Sequence, residues 1–387
     1  MSPPKKREPG IGRKLLIFLC LSSVLLIVAC TRAPTTGWSG PTMNDGVLYV
    51  GSIEGKVIAL SNVTGTSPVL KWEKEFESKT SGGLFACGAS LSTPMSTYGI
   101  PAIGGAPGEE KLYVGGYDGK VYAIRLDDRT MSDYDTGSAI VGSPIVASGM
   151  VFVGNSDGEF YCLDLQLGKR WVFETGGKIW STARVHDGTV YIGSADHKLY
   201  AIDIESGVER WHFEAKGAIL SDPLVANGTV YVGACDDYFY AIDAATGSEK
   251  WSFKANNWFW TKALFYHDEI WVGSLDHNLY VLDANTGVKK WVFETEGMVQ
   301  SPPVLVGDKI IVASGADKGD QRGKLYKIDP VARIAGELKS FEAPVLAPLY
   351  ADTVNGIIFV HAQNGTHTLY AIKVDDGTQL WQRDTSD

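Results

Sequence analysis

The sequence predicts an all-β protein, an eight-bladed β-propeller of four-stranded antiparallel blades. The first observation is a fixed repeat, because Trp171, Trp211, Trp251 and Trp291 lie 40 residues apart. A period of this size is typical of propellers and solenoids. The second is that each repeat contains four short runs rich in β-branched and aromatic residues, with no helical periodicity. Four antiparallel strands per unit, repeated around a ring, form a propeller blade.

The unit from Ser221 to Phe253 shows the pattern most clearly. Its four expected strands are Asp222 to Ala226, Thr229 to Val232, Phe239 to Asp243 and Lys250 to Phe253. Turn residues separate them, beginning with Asn227-Gly228, which accepts the positive φ angles of a tight hairpin. Each unit therefore supplies all four strands in chain order.

A proline sets the start of the innermost strand and counts the units. Pro223 precedes Gly233 by ten residues, and the same offset recurs in other units. Pro94 and Pro348 mark two units with a longer first hairpin loop. The eight units are expected to start near Trp38, Leu91, Val141, Trp180, Leu220, Trp260, Gln300 and Val345. In unit two, Tyr134 is expected near the position of the repeat tryptophan.

Residues 1–29 are predicted to be a signal peptide rather than part of the fold. Five basic residues precede an apolar run from Leu15 to Ala29, which is short for a membrane span. The run ends in Ile27-Val28-Ala29-Cys30, which resembles a bacterial lipobox. Cys30 is therefore the expected lipidation site, and residues 30–37 form a polar tether to the propeller at 38–387. The alternative is an uncleaved signal anchor.

Either alternative places the propeller outside the cytoplasm and attached to a membrane. Thr31 follows the cysteine in place of aspartate, so the inner-membrane retention signal of Gram-negative lipoproteins is absent. This favours the outer membrane if the organism has one.

The charge balance argues against nucleic acid as a partner. The chain carries a formal charge of −10, and removing residues 1–29 leaves 30 basic and 44 acidic residues. Nucleic-acid binding depends on Lys and Arg that neutralise phosphates, and no basic run is present after the signal peptide.

The cysteines beyond Cys30 are expected to be unpaired thiols. Cys162 occupies the position of Ala201 in the next unit, so it is expected to be a small core residue. Cys235 lies in a hairpin turn and Cys87 in the long connection after unit one. A Cys87–Cys235 bridge is the alternative that an oxidising compartment permits.

Three motifs suggest chemistry but are better explained as turns. Ser156 lies in a Gly-x-Ser-x-Gly sequence, but a strand follows where a nucleophile elbow needs a helix. Asp196-His197 and Asp276-His277 occupy equivalent hairpin turns two blades apart, and no other ligand has suitable spacing. The acidic insert containing Asp317 and Asp320 lacks a calcium-loop pattern. We expect no catalytic residue and no metal site.

One set of positions departs from plain repeat structure. Ala183 and Ala263 take the position of the marker proline in two units. The residue three positions before each marker should lie around the central funnel, because the chain crosses one face of the disc there. Aromatic and polar residues concentrate at this position and beside it, a composition typical of ligand sites. The candidate binding residues are Trp180, Trp258, Trp260, Lys262 and Gln300. The alternative is that these rings only pack between blades.

The repeat resembles that of the pyrroloquinoline-quinone (PQQ) propellers. The pattern Ala-x-Asp-x-x-Thr-Gly-x-x-x-Trp runs from Ala241 to Trp251, and the second strand ends in Tyr-Val-Gly or a close variant. The resemblance implies that each repeat tryptophan docks on the glycine of a neighbouring turn, buried between blades. The structural tryptophans are then Trp72, Trp171, Trp211, Trp251, Trp291 and Trp381.

The lipobox, the length and the eight repeats are together similar to the BamB family of outer-membrane assembly lipoproteins. This resemblance implies a non-catalytic scaffold that binds other cell-envelope proteins, without a cofactor. The alternatives are a PQQ-dependent dehydrogenase and a small-ligand sensor that uses the funnel. The PQQ-dependent dehydrogenases need a pair of adjacent cysteines, and this sequence has no such pair.

Overall fold

The computed structural model describes residues 39–52, 55–76, 96–315, 322–364 and 366–385. These ranges contain β-strands and no α-helix, and therefore no helix that is long and apolar enough to cross a membrane. Several features predicted above lie outside them: the signal peptide, Cys30 and the tether, Trp38, Cys87, Leu91, Pro94, and the acidic residues Asp317 and Asp320.

The strands group into eight four-stranded sheets. Blade one contains β1 (Thr42–Asn44), β2 (Val47–Gly51), β3 (Lys56–Ser61) and β4 (Val69–Glu75). Blade two contains β5 (Ala102–Gly104), β6 (Lys111–Gly115), β7 (Lys120–Arg125) and β8 (Met131–Asp135). Blade three contains β9 (Ile145–Ala147), β10 (Met150–Gly154), β11 (Glu159–Asp164) and β12 (Lys169–Glu174). Blade four contains β13 (Arg184–His186), β14 (Thr189–Gly193), β15 (Lys198–Asp203) and β16 (Glu209–Glu214).

The second half of the ring repeats this plan. Blade five contains β17 (Leu224–Ala226), β18 (Thr229–Gly233), β19 (Tyr238–Asp243) and β20 (Glu249–Lys254). Blade six contains β21 (Leu264–Tyr266), β22 (Glu269–Gly273), β23 (Asn278–Asp283) and β24 (Lys289–Glu294). Blade seven contains β25 (Val304–Val306), β26 (Lys309–Ser314), β27 (Gly323–Asp329) and β28 (Ile334–Phe341). Blade eight contains β29 (Tyr350–Asp352), β30 (Ile357–Asn364), β31 (Thr366–Lys373) and β32 (Gln379–Asp384).

Strands within each sheet are antiparallel and pair in chain order. First strands of neighbouring blades contact one another, as β13 does β17 and β17 does β21, so they form the inner ring. Blade eight consists only of β29 to β32, so the ring closes without exchanging a strand. The predicted eight-bladed propeller is confirmed.

Burial explains the composition of the strands. Every residue of β18 is buried, and so is the centre of β19, because neighbouring blades cover both faces of a sheet. A nearly continuous apolar run is expected for a strand buried on both faces. The outer strand β20 alternates between exposed and more buried residues, since it forms the rim.

Positive φ angles occur where the sequence predicts tight turns. Asn227 and Gly228 have φ angles of 48° and 65°, as a type I′ hairpin requires. In the turn between the second and third strands, His197 and His277 have φ angles of 75° and 71°, where blade three has Gly158 at 90°. The two histidines therefore replace a turn glycine.

In most blades the repeat tryptophan contacts the next blade. The Trp251 indole N–H donates to the carbonyl of Ala284 at 3.0 Å. A Cβ at Gly287 would lie 2.5 Å from the Trp251 ring, so only glycine fits beneath it. Equivalent indole hydrogen bonds run from Trp171 to Ile204, from Trp211 to Ala244 and, across the ring closure, from Trp381 to Val63.

The six tryptophans are not equally buried. Trp72, Trp251 and Trp381 are buried. Trp171, Trp211 and Trp291 lie at the rim and are half-buried. These three tryptophans are therefore partly accessible to solvent, whereas the resemblance implied burial between blades.

Two blades depart from the tryptophan pattern. Trp251 pairs with Ala241 across the sheet, and the equivalent pair in blade two is Ala123 with Ser132. The assignment of Tyr134 to the tryptophan position was therefore wrong, because β7 and β8 pair without the bulge that blade five contains. In blade seven Leu338 packs against Gly377 of the next blade.

Candidate functional site

The first strands surround a central channel. We call the funnel face the side on which the fourth strand of each blade connects to the next first strand. Turns between second and third strands lie on this side too, since the N–H of Leu275 donates to the carbonyl of Trp258 at 2.9 Å. The channel contains a cavity of about 780 Å³. Small-molecule sites typically measure about 300–1,000 Å³, so this cavity is large enough to hold a ligand.

Most of the predicted funnel residues line this cavity. Trp180, Trp260, Lys262 and Gln300 all contribute to its wall, from blades four, six and seven. Their first strands are too short to cover the channel alone, so the residues that precede each strand complete the wall. The structure therefore brings four of the five candidates together.

Trp258 is the exception. It lies on the funnel face outside the cavity lining, with 42% of its surface exposed. The intervening Phe259 is buried between blades, because the chain alternates direction at each residue. Trp258 is thus available to a molecule that approaches the funnel face from outside.

The proline offset misplaced the funnel position in two blades. In blade five Leu220 lies four residues before β17, and the same spacing gives Tyr98 in blade two and Leu346 in blade eight. Both line the cavity. The expected Val345 is instead completely buried between blades, and Leu91 lies outside the described residues. The error came from the choice of marker: Pro101, not Pro94, directly precedes β5 as Pro223 precedes β17, and Pro348 lies two residues before β29.

A hydrogen bond, a cation and a neighbouring ring contact the aromatic side chains at the cavity mouth. The Trp180 indole N–H donates to the Ser156 hydroxyl at 3.2 Å, and the Lys178 ammonium lies 5.2 Å from the Trp180 ring centre. The Tyr98 ring lies 5.2 Å from that of Tyr117, and burial raises the pKa of Tyr98. These contacts orient aromatic faces along the wall.

Two opposite charges lie inside the channel. The Asp222 carboxylate accepts a 2.6 Å hydrogen bond from the backbone N–H of Thr182 in the neighbouring blade. Burial raises the pKa of Asp222, while this hydrogen bond and the charge of Lys262 oppose the rise. Burial also lowers the pKa of Lys262, against the attraction of Asp222. Within the described ranges no carboxylate lies within 4.0 Å of the Lys262 ammonium.

A smaller cavity continues the channel beyond these charges. It has a volume of about 310 Å³, and Asp222, Lys262 and Thr182 border both cavities. Arg184, the first residue of β13, lines the smaller cavity at the position that Leu224 holds in the next blade. Asp222 and Arg184 were not among the predicted site residues. Their signal in the sequence is a charge at an inward position that is apolar or small in most blades.

The other motifs serve the fold. The Ser156 hydroxyl donates to the carbonyl of Ala139 at 2.8 Å, which ties the turn to the preceding connection. Asp196 accepts from the Tyr200 hydroxyl at 2.7 Å and from the N–H of Gly176 in the preceding blade at 2.7 Å. Across the described ranges, no group of three His, Cys, Asp or Glu residues is arranged to hold a metal ion.

The two described cysteines are free thiols of low reactivity. Burial raises the pKa of Cys162 to about 12 and that of Cys235 to about 11. The thiolate is the nucleophile and the metal ligand, so both groups remain protonated near neutral pH.

The fold and its repeats define the class: the chain is an eight-bladed β-propeller of PQQ-like repeats. A family model described as outer membrane protein assembly factor BamB matches residues 170–259 and 227–332, which span blades four to six and most of blade seven. The chain is similar to the crystal structure of BamB from Moraxella catarrhalis, with a TM-score of 0.61 and 17% identity over 87% of this chain and 94% of the other.

A second similar structure is the computationally designed Ika8 protein. The TM-score is 0.67, with 14% identity over 87% of this chain and 96% of the designed chain. No curated protein sequence matches the chain. Identities this low relate folds, while function resides in particular sites.

Proposed function

We propose that the chain is a lipid-anchored, extracytoplasmic propeller that binds other cell-envelope proteins and catalyses no reaction. The observation that carries this proposal is the match of blades four to six and most of blade seven to the family model of outer membrane protein assembly factor BamB. The lipobox at Cys30 supports it independently, since a tethered envelope protein is what such a scaffold requires.

The chemistry of the site supports binding rather than catalysis. The sequence contains no adjacent cysteines that could stack on a quinone cofactor. The described thiols have raised pKa values, which disfavours nucleophilic or redox use. The hydroxyl of Ser156 is engaged with a backbone carbonyl and with Trp180.

The proposed protein contact is the funnel face around Trp258. This ring is 42% exposed, and Tyr117 on the same face is 44% exposed. Tryptophan and tyrosine are enriched among residues that dominate binding energy at interfaces, because each buries a large area with little loss of rotamer freedom. Lys178, above Trp180, adds a cation beside the aromatic surface.

Replacing Trp258 with alanine is expected to weaken partner capture at least tenfold without lowering the melting temperature. The measurement is enrichment of outer-membrane assembly proteins on beads that carry the mature chain, from detergent-solubilised envelopes, quantified by mass spectrometry. Val208→Ala is the control, because Val208 is 63% exposed on the opposite face. Equal capture by the Trp258 variant would move the contact to another surface.

Replacing Cys30 with serine is expected to release the protein from membranes or to leave an unprocessed precursor. Serine lacks the thiol that receives the lipid, so labelled fatty acid should be absent from the variant. Fractionation and labelling of both forms provide the measurement, with Cys235→Ser as a control for loss of a thiol elsewhere. Equal labelling of the Cys30 variant would refute the lipid anchor.

A further inference from the structure

We propose that the central channel binds a small amphipathic anion. Its apolar or aromatic body would occupy the 780 Å³ cavity between Trp180 and Trp260, and its anionic head would lie at Lys262 and Arg184. This site is separate from the protein contact at Trp258, and its test requires no protein partner.

The charge of the channel is opposite to that of the protein. The chain carries a formal charge of −10, yet Lys262 and Asp222 border both cavities, and a second cation, the exposed Arg184, lines the smaller one. Lys262 is half-buried, and burial lowers the pKa of its ammonium, so the charged form carries a desolvation cost that a counter-charge would offset. A bound anion would supply this counter-charge.

Asp222 does not neutralise this cation by direct contact. Its carboxylate is hydrogen-bonded to the N–H of Thr182, and in the described part of the chain no carboxylate comes within 4.0 Å of the Lys262 ammonium. The ammonium therefore keeps its donors available to a ligand. Asp222 still attracts Lys262 at longer range and would repel an anion, so it should limit the affinity for an anion without blocking the site.

The rest of the wall suits an apolar body. Between the rings of Trp180 and Trp260 lies Leu220, and Tyr98 and Leu346 complete much of the mouth. Gln300 adds one uncharged polar group. An apolar cavity with a few convergent polar groups is the usual construction of a small-molecule site.

The test uses two fluorescent probes with the full mature chain in detergent. Anilinonaphthalene sulfonate has an aromatic body and an anionic head, while phenylnaphthylamine has the same body without the charge. We expect saturable binding of the sulfonate with a stoichiometry of one. Decanoate should displace it and decanol should not, which separates recognition of the head from recognition of the apolar body.

Four variants then locate the head group. Lys262→Met should weaken sulfonate binding at least tenfold while changing phenylnaphthylamine binding less than twofold, and Lys262→Arg should preserve sulfonate binding. Asp222→Asn should strengthen it severalfold, because the repulsive charge is removed. Lys254→Met is the matched control, since Lys254 is exposed outside the channel and should leave binding unchanged.

The outcomes are decisive in either direction once melting curves show folded variants. If Lys262→Met binds the sulfonate like the parent, or if Lys254→Met weakens it equally, the proposed head-group site is wrong. Displacement by decanol as effective as by decanoate would show an apolar cavity without anion recognition. The opposite change in Asp222→Asn is a response that a merely structural role for these residues would not produce.

Discussion

Replacing Trp251 with alanine is expected to lower the free energy of unfolding by about 3–5 kcal/mol, the usual cost of removing a buried tryptophan. The ring packs with Tyr231 and Phe239 in its own blade and covers Gly287 of the next blade. Its N–H also donates to the Ala284 carbonyl at 3.0 Å. Truncation would therefore leave a cavity and an unsatisfied carbonyl between two blades.

Chemical denaturation monitored by circular dichroism measures this loss, with Trp258→Ala as the matched control because Trp258 is exposed. The same contact can be tested from the other side. Gly287→Ala and Gly228→Ala both place a side chain at a positive φ, but only at Gly287 would the new Cβ meet a ring, at 2.5 Å. Gly287→Ala should be clearly the more destabilising. A Trp251 variant as stable as the Trp258 variant would contradict the proposed connection between blades.

The repeat made most of the fold predictable. Each unit has one tryptophan position, one turn glycine and four strand-forming runs, so a 40-residue period determines blade number and strand order together. The glycine at 287 and the tryptophan at 251 are paired in space because the repeat places them one blade apart. Local sequence and global packing agree here, which is what a foldable sequence requires.

Register in the irregular blades could not be predicted in the same way. Where the loop between the first two strands is longer, the ten-residue offset from the second strand no longer identifies the marker residue. Six residues separate β5 from β6 and four separate β29 from β30, where blade five has two. Pro94 and Pro348 were chosen as markers there, although Pro101 directly precedes β5, and this choice selected Leu91 and Val345 in place of Tyr98 and Leu346. Counting back from the first strand itself would have avoided the error, but that strand is only three residues long.

The candidate site was predictable in position but not in electrostatics. The sequence places Asp222 and Lys262 at equivalent positions in adjacent blades, so their proximity follows from the period. Whether they form a salt bridge depends on the channel radius and on the N–H of Thr182, which only the structure supplies. Asp222 accepts this hydrogen bond and forms no direct salt bridge with Lys262.

Acid is expected to destabilise the junction between blades eight and one through His361. Its Nδ1 donates to the Ser39 carbonyl at 2.9 Å, and its Nε2 lies 3.1 Å from the Thr385 hydroxyl. The side chain is completely buried, and this burial lowers the pKa of His361 to about 4. The neutral form is therefore the one that the fold accommodates.

The sign of the pH dependence follows from this lowered pKa. In the unfolded chain the histidine takes up a proton near its ordinary pKa of about 6.5, whereas in the folded chain it does so only near 4. The contribution of His361 to the free energy of unfolding is therefore fully present above about pH 6.5, and it is lost as the pH falls towards 4. This difference between the unfolded and folded pKa values corresponds to a loss of about 3 kcal/mol in the free energy of unfolding.

Denaturant midpoints measured between pH 7 and pH 4 test this expectation. His361→Gln removes the titrating group, so its stability should fall less steeply across this range than that of the parent, even if it is lower at neutral pH. Val208→Ala is the control, because Val208 is exposed in a turn and carries no titrating group, so this variant should keep the slope of the parent. If the parent and the His361 variant lose stability in parallel, another group governs the acid response and His361 is protonated without cost to the fold.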